Sequence, residues 1–106
     1  MDSNAKIAAL TEILTADPAN AFARYGLAME YLSQNNPDAA LTEFATLTTH
    51  QPDYVPAYQM SAQLLAKLGR TDEAIAHLKE GITAAQRSNN VHAASEMQTL
   101  LDDLAN

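Results

Sequence analysis

The chain has 106 residues, which fits one domain with a modest shared core, roughly two thirds of the unfolded surface leaving water on folding. Six Lys plus Arg against 13 Asp plus Glu give a net charge of −7, a field that repels phosphate backbones and anionic lipid, so neither nucleic acid nor a membrane surface is an expected partner. The absence of Cys excludes disulfides, thiolate metal sites and Cys nucleophiles.

Gly (3) and Pro (4) are few, Ala and Leu are plentiful, and strand-favouring β-branched and aromatic residues are sparse, so the expected class is all-α. The opening segment carries Asp2 ahead of Lys6 and has no long apolar run. Neither a signal peptide nor a spanning helix is expected there, and the expected location is cytoplasmic.

In chain order, helices are predicted near 3–15, 18–34, 37–50, 53–68, 72–87 and 91–104. Asp17-Pro18 and Asn36-Pro37 each place a capping side chain before a proline at a first helical position, where the missing N–H does no harm. Both read as helix starts. Gly69 closes the fourth helix, and Thr71-Asp72-Glu73 opens the fifth with a capping hydroxyl and two carboxylates in the positive first turn. In the last segment Val91, Ala94, Met97, Leu101 and Leu104 recur at helical spacing.

A shift of 34 residues aligns the chain with itself. Pro18 pairs with Pro52, Leu10 with Phe44 and Leu78, and Ile7 with Leu41 and Ile75. Ala28 pairs with Ala62, Ala40 with Ala74, Ala23 with Ala57, Tyr31 with Leu65, and Asn35 with Gly69. Small residues recur where helices would touch closely, and large ones where a gap needs filling.

Residues 21–52 carry Leu27-Ala28-x₂-Tyr31, Ala40-x₃-Phe44, Leu47 and Pro52, and residues 55–86 carry Tyr58, Ala62, Leu65, Gly69, Ala74 and Leu78. This pattern resembles the tetratricopeptide repeat, with its 34-residue period. The departures are Arg24 where the motif has Trp, Ser61 where it has Leu, and Gln86 where it has Pro. The resemblance implies one domain over 1–106, a right-handed superhelical stack of antiparallel helix pairs with about six helices. Its parts are a half repeat at 3–18, repeats at 19–52 and 53–86, and a capping helix at 89–106. Lys6 stands where the complete copies have Ala40 and Ala74, as suits an open end, and Leu10 would lie partly uncovered there, a candidate for self-association.

The same resemblance places a partner groove along the first helices of the repeats. It implies Phe22, Tyr25, Met29, Leu32 and Ser33 in the first repeat, and Pro56, Gln59, Gln63, Ala66 and Lys67 in the second. The Phe22 to Leu32 stripe is large enough that burying it would release several kcal/mol, at about 25 cal/mol per Å², before binding losses. Three fates are open for it: internal coverage, a second copy of the chain, or a peptide or helix of another protein. The expected function is a protein-interaction module of the adaptor type, taking a segment with apolar anchors. A self-associating homodimer is the alternative, and a small enzyme or metal-binding protein a distant one.

Acidic chaperone tails, which some family members clamp with basic groove side chains, are poor expected ligands, because only Lys67 offers a positive charge among the groove positions. No catalytic residue, cofactor site or metal site is expected. His50, His77 and His92 repeat no known metal-ligand spacing, the adjacent pairs Asp72-Glu73 and Asp102-Asp103 point to different sides of a helix, and no Gly-rich phosphate loop occurs.

Overall fold

A computed structural model describes residues 2–106; residue 1, the first of the expected domain, lies outside the described residues. Six helices follow one another: α1 (Ser3–Ala16), α2 (Ala21–Ser33), α3 (Pro37–His50), α4 (Val55–Lys67), α5 (Thr71–Arg87) and α6 (Val91–Ala105). There is no strand among the described residues. The chain divides into two compact units, Met1–Gln51 and Pro52–Asn106. The first holds α1, α2 and α3; the second holds α4, α5 and α6.

Capping chemistry sets most boundaries. Asp2, Asn20, Asn36 and Asn90 accept hydrogen bonds from the backbone N–H three residues on, satisfying one of the donors that a helix start leaves unpaired. Two expected starts are corrected. Asp17-Pro18 does not open α2: the residues after it form a turn, and Asn20 is the cap. Thr71 is already the first residue of α5, behind Arg70, and no side chain caps that helix. There the Arg70 guanidinium instead binds Glu73 through Nε and Nη2 at 2.9 and 2.7 Å, and this hydrogen bond holds the Glu73 carboxyl below its usual range.

The prolines explain the ends of α1 and α3. Each has 14 residues and stops one residue before Asp17-Pro18 or Gln51-Pro52, because the residue preceding a proline is driven from helical to extended backbone. Asp17 and Gln51 accordingly have φ/ψ of −141/80° and −134/85°. At the third position of this 34-residue series stands Gln86, and α5 runs straight through it to 17 residues. It ends on Asn89 in the left-handed region, with φ 55°, and the Asn90 N–H reaches back to the Ala85 carbonyl at 2.8 Å. This is the closure that ends α2 at Asn35 and α4 at Gly69, where the bonds run from Asn36 to Tyr31 and from Arg70 to Leu65, each at 2.9 Å.

The repeated positions occupy repeated environments. Ala28 and Ala40 in the first unit and Ala62 and Ala74 in the second are fully buried, as are Phe44 and Leu78. Arg24 and Tyr58, 34 residues apart in sequence, both donate to the carbonyl of the matching proline. Arg24 Nη2 meets the Pro18 oxygen at 3.0 Å and Tyr58 Oη meets the Pro52 oxygen at 2.8 Å. Arg24 also forms a half-buried ion pair with Glu43 on α3 at 2.7 Å, tying a polar residue into the place where the motif has Trp.

In the first unit Leu14, Ala23 and Leu27 form a buried cluster flanked by Ile7, Leu10 and Tyr31. Lys6 stays exposed, 3.7 Å from Glu30. In the second unit the core runs from Val55 and Tyr58 through Leu78, Ala84 and Ala85 to Ala93 and Met97. The last helix packs on α5 through Ala93, Met97, Leu101 and Leu104, whereas Val91, expected on that stripe, is 79% exposed.

Two glycines test helix contact from opposite sides. A Cβ at Gly81 would fall 2.7 Å from both Met97 Sδ and Tyr58 Cβ, so α5 admits no side chain where α4 and α6 meet it. A Cβ at Gly26 would sit 3.5 Å from Leu10 Cδ1, an ordinary contact. Gly81→Ala is therefore expected to destabilise by about 1–3 kcal/mol through overpacking, while Gly26→Ala stabilises by up to about 1 kcal/mol through helix propensity. Urea titrations of the two variants would read opposite shifts in midpoint.

Burial, and after it the Glu80 carboxylate, pushes the Tyr58 phenol above its ordinary value of 10.0. The unfolded chain therefore gives up this proton first, and stability supplied by the neutral phenol is complete below about pH 10 and lost above it. Tyr58→Phe should lower stability at neutral pH by about 1 kcal/mol through the lost bond to Pro52. The gap between the two proteins should narrow as urea midpoints are measured from about pH 9 to pH 11.

Candidate functional site

The residues expected to face a partner divide by exposure rather than forming one uniform stripe. On α2, Phe22 is 83% exposed, far beyond any other large apolar side chain on that helix. Met29 and Leu32 are half-buried and Ser33 is exposed. Tyr25 is different. Its ring lies 5.9 Å from that of Phe44, tilted by 58°, so it packs on the buried ring of α3 while leaving one side uncovered. This edge-to-face type of contact adds to the apolar burial. Tyr25 thus belongs partly to the core of its unit, and Phe22 is the member with least structural duty.

Leu10 is half-buried, with its methyl groups over Gly26 and its side chain against the Leu14, Ala23 and Leu27 cluster. On the same helix Ile13 is the more open side chain.

In the second unit Gln59 is half-buried and Gln63 and Lys67 are exposed on α4. Gln59 and Gln63 line a cleft of about 270 Å³ whose other wall is the Glu96, Thr99, Leu100 and Asp103 face of α6. Its base is apolar, formed by the buried side chains of Leu78 and Met97. Across the cleft, Gln59 Nε2 approaches Glu96 Oε1 at 3.5 Å. The sequence names the two amides as groove candidates but not the α6 wall. The signal that reveals it is the helical spacing of Glu96, Thr99, Leu100 and Asp103, which puts all four on one face.

Ser61, standing where the motif has Leu, is buried. Its hydroxyl donates to the Tyr58 carbonyl at 3.2 Å and meets His77 Nδ1 at 2.9 Å. These contacts leave the hydroxyl enclosed rather than available to attack a substrate. His92 lies 3.2 Å from Glu96 on the surface of α6. Among the described residues no group of three or more His, Asp or Glu could hold a metal ion, and no helix is long and apolar enough to cross a membrane.

The sequence pattern and this geometry agree with comparisons to known proteins. A tetratricopeptide repeat family model matches residues 4–64 and 31–97. The solution structure of a tetratricopeptide repeat domain protein from Salinibacter ruber is 36% identical, over 83% of this chain and 89% of that one, with a TM-score of 0.77. A protein from Bordetella parapertussis is 25% identical over 93% of this chain and 86% of its own, with a TM-score of 0.76. The TPR2B domain of yeast Sti1, solved in its complex with pHsp70, shares the fold at a TM-score of 0.83, with 20% identity over 93% of this chain and 79% of that one. A comparison with curated protein sequences gave no match. With two overlapping matches running from residue 4 to residue 97, and the recurring alanines, prolines and turn closures in place, the chain belongs to the tetratricopeptide repeat family.

Proposed function

We propose that this protein is an adaptor that binds a polypeptide segment of a partner protein through the helix faces its family uses for that purpose. The observation that carries this reading is Phe22: an aromatic ring 83% exposed, beside half-buried Met29 and Leu32 on the same helix. An aromatic held in water at the edge of a partly open apolar face is the kind of anchor that concentrates binding energy at interfaces. Phe22, Tyr25, Met29, Leu32 and Ser33 form the proposed face on α2; Gln59, Gln63 and Lys67 form the one on α4. The Sti1 domain captured in complex with pHsp70 lends support to a protein partner. The partner carries apolar anchors here, since the Gln59 and Gln63 amides and a lone Lys67 make a poor clamp for a carboxylate-rich tail. The role is binding rather than catalysis, and a cytoplasmic setting goes with it.

Self-association is the second reading, favoured by the exposed Phe22 and Ile13 of the first unit. Light scattering across a hundredfold concentration range separates the two. A mass fixed at one chain supports the adaptor, and a mass that doubles supports the dimer.

Truncation should separate anchor from core. Phe22→Ala is expected to change stability by less than about 0.5 kcal/mol, whereas Tyr25→Ala, which removes the contact with Phe44, costs about 2–4 kcal/mol. Thermal unfolding followed by circular dichroism reads both. For binding, Phe22→Glu is the variant to use, because it leaves the Tyr25 contact intact. Quantitative co-precipitation from source lysate should show the partners retained by the wild type lost with Phe22→Glu and kept with Glu12→Gln. An unchanged partner set with Phe22→Glu sinks the assignment.

A further inference from the structure

The α4–α6 cleft has a chemistry of its own. Its wall on α6 presents Glu96 and Asp103, and no Lys or Arg lines it. Helix α6 itself carries three carboxylates, Glu96, Asp102 and Asp103, and neither Lys nor Arg. Asp102 is engaged by Gln98 at 2.9 Å, while Asp103 has no hydrogen-bond or ion-pair partner among the described residues. Glu96 meets only the exposed His92 and, at the limit of hydrogen bonding, Gln59. Two carboxylates thus flank a space whose base is Leu78 and Met97 and whose wall between them is Leu100.

This combination matches one kind of ligand. Lysine and arginine side chains lay an apolar stem along hydrocarbon and keep a charged head at the rim. The spacing narrows the choice further. Glu96 and Asp103 lie seven positions apart, two helical turns, so their backbones are separated by about 10 Å along the α6 axis. That spacing does not by itself serve a divalent cation such as calcium, which takes about six or more oxygen ligands, and no group of three or more His, Asp or Glu among the described residues could hold one. The spacing equals the separation of two residues seven apart on a partner helix laid alongside α6, with the residues between them, at three and four, over Thr99 and Leu100.

We propose that the α4–α6 cleft is a recognition subsite for a basic amphipathic helix, receiving Lys or Arg side chains two turns apart with an apolar residue between them. The inference rests on the interaction-module reading above and specifies the partner's charge. It places the cation requirement on α6 of the second unit, and the apolar anchoring of that reading on α2 of the first.

The probe is a fluorescein-labelled, alanine-based helical peptide with two arginines seven residues apart and leucines at the third and fourth positions between them. Two relatives serve as comparators: one with citrulline, neutral and nearly isosteric, at both arginine positions, and one with the arginines moved to five residues apart. Anisotropy titrations at about 0.05 M salt are run against the wild type, a Glu96→Gln/Asp103→Asn variant, and an Asp72→Asn/Glu80→Gln variant that loses the same charge elsewhere. For the wild type, the seven-spaced arginine peptide should bind about tenfold more tightly than the citrulline peptide, the scale of two modest charge pairs. The advantage should fall to within about twofold in Glu96→Gln/Asp103→Asn and persist in Asp72→Asn/Glu80→Gln. Equal advantage in both variants would mean general attraction to an acidic protein and would overturn the subsite, as would equal binding of the five-spaced peptide or no binding at all. None of these failures touches the Phe22 test. Conversely, a partner set indifferent to Phe22→Glu removes the wider reading while the arginine preference is still read on its own scale.

Discussion

Each unit of this protein depends on helices approaching closely enough that only a methyl group or less fits between them. Ala28 and Ala40 in one unit and Ala62 and Ala74 in the other have no exposed surface. Gly81 carries the constraint furthest, with no room for a Cβ against Tyr58 and Met97. Close approach at the small positions lets Phe44 and Leu78 fill the space beside them at native density, and it fixes which faces of α2 and α4 remain turned outward. The candidate site is the residue of that packing.

The turns carry a second constraint, in which polar chemistry substitutes for bulk. Where the family pattern calls for Trp, this chain has Arg24 in one copy and Tyr58 in the next. Both solve the same problem by donating to the carbonyl of the proline that ends the preceding segment. A hydrogen bond of this kind contributes about 0.5–1.5 kcal/mol, so a polar residue that makes it offsets part of what a large apolar one would gain by burial. The prolines are what make the solution repeatable: they stop α1 and α3 at the same place. Without one at position 86, α5 gains a turn and Arg87 reaches Asp53 at 2.6 Å, a contact between exposed groups that contributes little by itself.

That absent proline also decides how far the sequence could be read. Helix count, the αL turn at Asn35 and Gly69, and the buried alanines follow from the 34-residue shift and appear where it puts them. The start of α2 does not, because Pro18 belongs to a turn and the competing cap, Asn20, lies two residues on. Past position 86 the shift itself breaks. The helix caps at Tyr54 and Asn90 lie 36 residues apart instead of 34, so residues of α6 fall out of register with the repeat, and its faces have to be read from helical spacing alone. That spacing puts Met97, Leu101 and Leu104 against the core, where they lie, but it also includes Val91, which as the first residue of α6 stays exposed, and it passes over the buried Ala93. The Glu96 to Asp103 face shares one side of α6 by helical spacing, but only the neighbouring α4 amides make it the wall of a cleft. Likewise nothing in the α2 stripe distinguishes Phe22 from Tyr25; only the position of the Phe44 ring does.

The charge of the chain then acquires a local meaning. A net charge of −7 by itself speaks only to solubility and to which partners are repelled. Much of the acid is paired or dispersed: Glu43 with Arg24, Asp53 with Arg87, Glu73 with Arg70. Helix α6 has neither Lys nor Arg to offer its carboxylates, and its acidic face stands over an apolar base rather than over bulk water alone. Partial exclusion of solvent lowers the local dielectric, so a cation brought there gains more than it would at Asp17 or Glu12 on the open surface of the first unit. The same two carboxylates without a ligand raise no large cost, because the cleft is open to water. The proposed subsite is therefore inexpensive to keep empty and gains its selectivity only when a cation fills it.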